Sequence, residues 1–428
     1  MLAATERSWT PLQRVAFRFA FVYFGTFCLT TQILGALVPI DMPELYTLWP
    51  IRQIVFAVAA RTFGLHLPLV YDGSGSGDKV FDWVFLFVSL VFAGLATIVW
   101  SLLDRKRASY GAIYRGFRFF IRFALAGQLI SYGITKAIPN QMPFPGLTQL
   151  IEPFGQLSPM GVLWNSIGAS PAYEIFAGCA ETLAGLLLVA PRTTTLGTLL
   201  ALADMTQVVM LNMTYDIPVK ILSFHLLLLA IFLLAPEIGR LADVFLFERP
   251  PRVATRTALF CGKRENRIMF FGQLAIGVYL VVINVDQGIS DWRTYGGGAP
   301  HSTLYGIWDV ALRCVDGRPQ RPGPARDDRW RRVVFDRPAF IAIQLMDDSS
   351  EYMPAKVDDR AETIALGGVG VPESIGRLRF ARIDARHLKL RGTLGKHTVA
   401  IDLELVDRRR YHTVSRGFHW IQDYPYNR

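Results

Sequence analysis

Long apolar segments are the feature that most constrains this chain of 428 residues. A helix needs ~20 consecutive, mainly apolar residues to cross the bilayer core. Seven segments reach or approach that length, and the apolar content of 51% agrees with an integral membrane protein. The predicted spans are Val15 to Val38, Phe81 to Leu103, Tyr114 to Ile138, Ala172 to Ala190, Leu196 to Leu211, Ile217 to Ala235 and Ile268 to Val285.

The first apolar segment has the layout of a signal peptide as well as of an anchor, because Arg7, Arg14 and Arg18 precede or enter it. The anchor is favoured, since the stretch from Leu34 to Pro39 offers no small-x-small cleavage site and the apolar run is long for a signal. A cleaved signal would remove one span and leave the orientation of the others unchanged.

Basic side chains indicate the orientation of the helices. They cluster from Arg105 to Arg118 and from Arg240 to Arg267. Loops rich in Lys and Arg stay in the cytoplasm, so we expect a cytoplasmic N-terminus and an extracytoplasmic region after Asp286. The net charge of +10 is then explained by loops that meet anionic headgroups. No nucleic-acid partner is indicated.

Two segments outside the spans are apolar as well. Pro50 to Leu65 has the periodicity of a helix that lies on the membrane surface. Pro139 to Pro171 is broken repeatedly by proline and glycine, so it cannot span as one helix. We expect short interfacial or re-entrant pieces there.

After the last span the pattern changes from helical to alternating, with strands about ten residues apart and turn signals between them. Such a meander of eight or nine strands predicts a small up-and-down barrel or a sandwich. Arg318 to Arg329 is predicted to be a loop. The predicted strands are Leu304 to Val310, Ala339 to Met346, Glu351 to Val357, Glu362 to Leu366, Arg377 to Ile383, His387 to Arg391 and His397 to Val406.

Five polar or ionisable side chains lie inside three consecutive spans. Such groups are costly in hydrocarbon and mark functional sites in membrane proteins. They are Glu174, Glu181, Asp204, Gln207 and His225.

Helical geometry groups these side chains. Glu174 and Glu181 are seven residues apart and share one face, and Asp204 and Gln207 share another. At ~1.5 Å per residue Glu181 lies about 15 Å from the outer end of its span, near the midplane. By the same rise, His225 lies about 12 Å from the outer end of its own span.

The third span adds a polar stripe at matching depths, formed by Gln128, Tyr132, Thr135 and Lys136. Together with the five side chains it predicts one pocket that faces the outer leaflet, in which Glu181, Asp204 and His225 do the chemistry and Gln128, Tyr132, Lys136, Glu174 and Gln207 bind a ligand. The alternative is that the buried carboxyl groups are protonated and only hold helices together.

A second stripe on the third span is formed by Arg115, Arg118 and Arg122. These side chains start at the predicted cytoplasmic end, where long basic side chains extend to the headgroups. We assign them to anchoring of the helix.

Cofactor motifs are absent from the sequence. The four cysteines, Cys28, Cys179, Cys261 and Cys314, form no CxxC pair, no zinc spacing, no haem-binding CxxCH and no iron–sulfur set. No GxGxxG follows a strand, so a nucleotide site is not indicated either.

Two short motifs resemble those of the DoxX family of bacterial membrane proteins. They are Tyr132 to Lys136, with a proline soon after, and Glu181 to Leu188 followed by Pro191 and Arg192. The resemblance covers about residues 115–235 and implies a four-helix core in the bacterial inner membrane. It also implies transfer of electrons to a quinone, with Lys136 and Glu181 as the positions that match the motif.

The outer domain resembles a lipocalin-type barrel at one motif. Gly306-Ile307-Trp308 stands at the first predicted strand, and Arg416 follows the last one. The resemblance implies that Trp308 packs at the barrel floor beneath Arg416. Such a barrel either holds a small apolar ligand or is filled by its own side chains.

The predicted architecture is a polytopic α-helical membrane protein with a DoxX-like four-helix core, followed by an all-β antiparallel barrel or meander. Its predicted parts are two helices with an outer loop (1–110), the four-helix core (111–240), a basic loop with the last helix (241–290) and the outer β-domain (291–428).

Two functions remain open at this point. One is a subunit of a quinone-linked oxidoreductase, in which the buried carboxyl groups exchange protons with a quinone while a redox partner protein supplies electrons. The other is a non-enzymatic scaffold anchored in the bilayer, whose β-domain holds a lipid or a protein.

Overall fold

The chain is described by a computed structural model over residues 8–38, 43–252, 262–320, 329–368 and 371–427, with the side chains of 368 and 371–374 left aside. Arg7, Pro39, Cys261 and most of the predicted loop from Arg318 to Arg329 lie outside these ranges. Contacts divide the chain into a helical unit, Met1–Ile138 with Ala172–Ser290, and a barrel unit, Pro139–Pro171 with Asp291–Arg428.

Helices account for most of the first three hundred residues. Their bounds are α1 Pro11–Thr30, α2 Gln32–Leu37, α3 Ile51–Phe63, α4 Val80–Leu103, α5 Gly111–Ala137, α6 Leu147–Ile151, α7 Pro159–Gly168, α8 Pro171–Val189, α9 Thr194–Thr214, α10 Lys220–Leu234, α11 Ile238–Phe245 and α12 Lys263–Thr294. A short helix, α13 His412–Ser415, follows the strands.

Within the described ranges, five helical segments are long and apolar enough to cross a membrane, and they confirm the membrane-type architecture predicted from the sequence. Each coincides with a predicted span. They are Val80–Leu103, Pro171–Val189, Thr194–Thr214, Lys220–Phe245 and Lys263–Thr294.

The other two predicted spans are helical but less apolar or less regular. The first is interrupted at Thr31, whose backbone is extended (φ −101°, ψ 179°), so α1 and α2 are separate helices. The third forms one continuous helix, α5, in which four basic side chains and Gln128 lower the mean hydropathy. This basic helix is nevertheless the centre of the helical unit, with a core from Phe117 to Ile134.

The segments between spans follow their sequence patterns. The predicted surface helix from Pro50 to Leu65 is α3, which ends at Gly64 in the left-handed region (φ 63°). Pro139 to Pro171 forms short helices, α6 and α7, as its prolines and glycines require.

Nine strands in the described part of the chain form one antiparallel sheet. Their bounds are β1 Gly306–Val315, β2 Arg318–Gln320, β3 Trp330–Phe335, β4 Phe340–Leu345, β5 Ser350–Asp358, β6 Thr363–Gly368, β7 Val371–Arg382, β8 His387–Leu394 and β9 His397–Leu405. Neighbours in sequence pair from β3 to β9, and β1 pairs with both β3 and β9. The sheet therefore closes into an eight-stranded barrel, and β2 only extends one end of β1. This closure confirms the barrel and excludes the sandwich.

One full strand, β3, was missing from the predicted set. Its sequence, Trp330 to Phe335, carries two adjacent arginines that interrupt the alternation. The structure accommodates them through a register shift between Trp330 and Arg332, after which Val333 and Phe335 face the core. The predicted loop before it also contains the short strand β2.

The barrel interior is filled by side chains of its own strands. Its core cluster combines Trp308 and Trp330 with Phe335 and aliphatic residues from every barrel strand. Trp308 is 1% exposed, and its indole Nε1 donates a hydrogen bond to the carbonyl of Leu304 at 2.9 Å. This packing favours the filled barrel.

The predicted packing of Arg416 on Trp308 at the barrel floor is not formed. Its guanidinium lies 4.1 Å from the ring centroid of Tyr426 and donates a hydrogen bond to Gln422 at 3.0 Å. Arg416 follows β9 by eleven residues, and this long connection leads it to its own terminal segment instead of the barrel floor.

Helix α6 packs against the outside of the barrel. Leu147 and Ile151 join Val334 and Ala342 in a second apolar cluster. Gln344, which is fully buried, donates a hydrogen bond to the carbonyl of Ile151 at 3.1 Å. The barrel unit thus has two cores, one inside the sheet and one beneath this helix.

Candidate functional site

Helices α5 and α8 run antiparallel and meet through glycines. A Cβ atom on Gly178 would lie 2.3 Å from the backbone nitrogen of Ala137, and one on Gly133 would lie 2.5 Å from that of Thr182. Farther along, Gly185 approaches Ile130 in the same way. Small residues at these positions allow the two backbones to touch, which is how helices pack closely in lipid.

The close approach brings a lysine of α5 onto a glutamate of α8. Lys136 donates a hydrogen bond to Glu181, and the two side chains form an ion pair. Glu181 is 2% exposed and the Lys136 side chain 12%. An ion pair this deeply buried loses most of its hydration. The attraction between the two charges offsets that cost, so each charge depends on its partner.

Asp204 of α9 supplies a third ionisable group to this pair. It interacts electrostatically with both Lys136 and Glu181. Its Oδ2 atom is buried and, within the part of the chain that the structure describes, accepts no hydrogen bond. Lys136, Glu181 and Asp204 thus form a buried ionisable cluster with two carboxyl groups for one ammonium group. The cluster has an unused acceptor, which a ligand or a proton could satisfy.

Two polar side chains of the predicted stripe on α5 bind α2. Gln32 donates a hydrogen bond from its side-chain amide to the hydroxyl of Tyr132 at 3.1 Å, and its backbone carbonyl accepts one from Gln128 at 3.2 Å. Gln32 was missed by the sequence analysis. The signal was present, because it is a polar side chain within the first apolar segment.

Tyr132 also lies near the ionisable cluster, within electrostatic range of Glu181. The α2 backbone comes close to α5 at Gly127, where a Cβ atom would lie 3.2 Å from the carbonyl oxygen of Ala36. The break at Thr31 therefore matters for the site, because it releases α2 from the line of α1 and lets it lie on α5.

Glu174 and Gln207 lie in contrasting environments. Glu174 is fully buried in the first turn of α8, two turns from Glu181. Gln207 is on the exposed face of α9, although it follows Asp204 by only three residues. The place of Gln207 in the predicted pocket therefore stays a prediction.

His225 forms a separate buried contact with α1. Its Nδ1 donates a hydrogen bond to the carbonyl of Ile221 at 2.6 Å, which places the proton on that nitrogen. The hydroxyl of Tyr23 lies 2.8 Å from Nε2 and donates to it when the ring is neutral. The imidazole stacks on Phe27 with centroids 3.7 Å apart. Both ring nitrogens are occupied, so this histidine is satisfied without the ionisable cluster.

The predicted anchoring role is wrong for Arg122. Its side chain is only 9% exposed and donates hydrogen bonds to Thr194 of α9 and Gln273 of α12. Helices α9 and α12 pack against the face of α5 that carries Arg122, so its guanidinium points into the helical unit. Arg118 is partly exposed and donates to the carbonyl of Leu233 at 3.0 Å.

The described residues contain no group of three or more His, Cys, Asp and Glu side chains suited to a metal ion. Cys28, Cys179 and Cys314 are free thiols.

A cleft of about 850 Å³ lies in the barrel unit, outside the barrel itself. It runs between the segment that contains α6 and α7 and the outer surface of the strands. Aromatic and polar side chains line it together, among them Trp164, Asn165, His301, Tyr305, Asp336 and Tyr352.

Comparison with known proteins identifies one informative relative. The uncharacterised protein YwoB of Bacillus subtilis (strain 168) is 30% identical over 140 residues, which are 33% of this chain and 86% of YwoB. No protein-family model matches the chain, and no solved structure matches it. The resemblance to the DoxX family therefore stays a prediction. Since the chain covers most of YwoB at this identity, it belongs to the family of YwoB.

Proposed function

We propose that the helical unit binds a small lipid-soluble ligand at the ionisable cluster and exchanges protons with it. The observation that carries the proposal is the buried Oδ2 of Asp204, which has no hydrogen-bond partner among the described residues and lies beside a buried ion pair. A buried acceptor without a partner costs free energy, and a bound ligand or proton would offset that cost.

A quinone is the ligand class that this cluster suits. A quinone carbonyl accepts hydrogen bonds, which Lys136 can donate, and its two-electron reduction takes up two protons. Two carboxyl groups that share one buried site ionise at different pH values, so one can act as donor while the other stays charged. The electrons would come from a redox partner protein, as the DoxX resemblance implies.

The test is extraction and mass analysis of small molecules that co-purify with the full-length protein in mild detergent. We expect a quinone in the unmodified protein and its loss in Glu181→Gln and Asp204→Asn. The matched control is Met210→Leu, an exposed position on the same helix as Asp204, which should keep the ligand. Absence of a quinone from the unmodified protein, or its retention in both carboxyl variants, would refute the proposal.

A second candidate function is binding of a lipid or a protein by the barrel unit. The observation that favours it is the cleft beside α6 and α7, because the barrel interior is already filled. Aromatic side chains around a cleft of this size suit an amphipathic ligand. In this case the helical unit acts as an anchor.

The two functions predict opposite effects of paired variants. Labelling by a photoreactive lipid probe should fall in Trp164→Ala and stay unchanged in Glu181→Gln if the cleft is the binding site. Under the first proposal the quinone content should fall in Glu181→Gln and stay unchanged in Trp164→Ala. Equal labelling of all three proteins would exclude the cleft as a lipid site.

We also propose that the protein lies in the bacterial inner membrane with the N-terminus in the cytoplasm and the barrel unit outside. The clusters of basic residues from Arg105 to Arg118 and from Arg240 to Arg267 support this orientation. Protease added to intact spheroplasts should remove the barrel unit and spare an N-terminal tag. Cleavage of the tag alone would show the opposite orientation and refute the proposal.

A further inference from the structure

Helix α5 buries an arginine, Arg122, whose hydrogen-bond partners among the described residues are neutral. The guanidinium of Arg122 donates to the hydroxyl of Thr194 at 3.3 Å and to the side-chain carbonyl of Gln273. Within the described ranges, no aspartate or glutamate forms an ion pair with it. A buried charge without a countercharge is costly in a protein and more so between membrane helices.

A second arginine adds to this positive charge. Arg118 stands four residues before Arg122 on α5, so the two side chains project from the same face and repel each other. Its only hydrogen bond to a described residue goes to the carbonyl of Leu233. The Nε atoms of both arginines are buried and have no partner in the described part of the chain.

The end of α9 that meets Arg122 is also positive. Thr194 is the first residue of this helix of 21 residues, and the backbone N–H groups of a helix N-terminus carry partial positive charge. The guanidinium of Arg122 thus meets the N-terminus of α9, with Arg118 one turn away on α5, and neither arginine forms an ion pair with a described aspartate or glutamate. An anion at this place would neutralise all three.

We propose that Arg118, Arg122 and the N-terminus of α9 form a binding site for a phosphate group, supplied by the headgroup of an acidic phospholipid. Guanidinium N–H groups match phosphate oxygens in geometry and charge, and buried arginines between membrane helices bind such headgroups. Arg118 is partly exposed, so the site can be reached from the side of the helices. This site is independent of the ionisable cluster at Lys136.

The experiment uses the full-length protein in mild detergent, supplied with phosphatidylglycerol or with phosphatidylcholine. Native mass spectrometry counts retained lipids, and thermal unfolding measures stability. We expect one phosphatidylglycerol to be retained per chain and to raise the unfolding temperature, while phosphatidylcholine does neither. Arg122→Gln and Arg118→Gln should weaken retention on the order of tenfold or more, since each removes a charge-assisted hydrogen bond.

Two further variants keep the test independent of folding defects. Arg105→Gln changes the net charge equally at an exposed position before α5 and should behave like the unmodified protein. Gln273→Glu places a carboxylate beside Arg122, so it should raise the unfolding temperature without lipid and abolish the response to phosphatidylglycerol. That outcome does not depend on whether Arg122→Gln folds.

A separate arm identifies the source of the anion. Inorganic phosphate added in phosphatidylcholine should stabilise the protein only if the site takes free phosphate, and the stabilisation should disappear in Arg122→Gln. Stabilisation by phosphatidylglycerol alone assigns the site to a lipid headgroup. The proposal is overturned if Arg118→Gln and Arg122→Gln retain phosphatidylglycerol as the unmodified protein does, or if neither anion has an effect on it.

Discussion

Lys136 of α5 and Glu181 of α8 form a buried ion pair where two glycines, Gly133 and Gly178, bring the helix backbones into contact. The residues are 45 positions apart in the sequence. Their pairing depends on the close approach of the helices, because side chains on more distant helices would leave each charge in an apolar environment. The glycines and the ion pair therefore belong to one structural unit.

A methyl group at Gly178 should disrupt this unit. Gly178→Ala places a Cβ atom 2.3 Å from the backbone nitrogen of Ala137, so α5 and α8 must separate. We expect the free energy of unfolding to fall by about 1–3 kcal/mol, as for other overpacked cores. The control is Gly116→Ala on α5, where nothing lies within 4 Å and helix propensity predicts a small gain. Equal behaviour of both variants in thermal unfolding would contradict the packing.

Removal of one member of the ion pair should cost more than removal of both. Lys136→Met leaves Glu181 buried without its countercharge, which costs about 3–5 kcal/mol in comparable cases. Glu181→Leu should cost less, because Asp204 still interacts with Lys136. The double variant removes both charges and should recover much of that loss. A double-mutant cycle in thermal unfolding measures the coupling, and additive single effects would show that the pair is not coupled.

Tyr23→Phe should destabilise the helical unit without affecting the ionisable cluster. It removes the hydrogen-bond donor to Nε2 of His225, a ring that is 2% exposed. We expect a loss of about 1–3 kcal/mol, the cost of a buried polar atom left without a partner. The quinone content should not change, because both nitrogens of His225 serve the contact of α10 with α1. A loss of ligand with unchanged stability would place His225 in the site instead.

The barrel unit should respond to acid through Asp316. The hydrogen bond from His397, followed by that from the backbone of Thr398, holds the pKa of this carboxyl below its ordinary value. Its stabilising contribution is therefore complete above the ordinary aspartate pKa, about pH 4, and is lost as the pH falls through the lowered value. Asp316→Asn should unfold more easily at neutral pH and show a weaker acid dependence. Parallel acid titration curves for the two proteins would contradict this.

The sequence predicts the fold class well because its signals are local. Apolar runs of ~20 residues gave the helices, and alternation about every ten residues gave most strands. The strand from Trp330 to Phe335 was missed since a register shift, which depends on the partner strand, hides its alternation. The break at Thr31 was missed for a related reason, as the apolar run continues through it.

The candidate site was predictable only in part. Lys136 and Glu181 stood out as charges within apolar helices and proved to be adjacent. The sequence placed His225 and Gln207 in the same pocket by depth alone. Depth does not fix the direction of a side chain relative to other helices, and the structure turns one toward α1 and the other to the exposed face.

By itself, the sequence determined that this chain builds membrane-type helices followed by an antiparallel β-domain, because lengths and periods of apolar residues act through neighbouring positions. The closure of that domain into a barrel was decided by the pairing of β1 with β9. Only the tertiary structure decided that Lys136 meets Glu181 and Asp204, while Arg122 is buried among α5, α9 and α12. These contacts join residues 45 to 151 positions apart. They depend on which helices can approach closely, and glycine contacts such as Gly133 with Gly178 decide that.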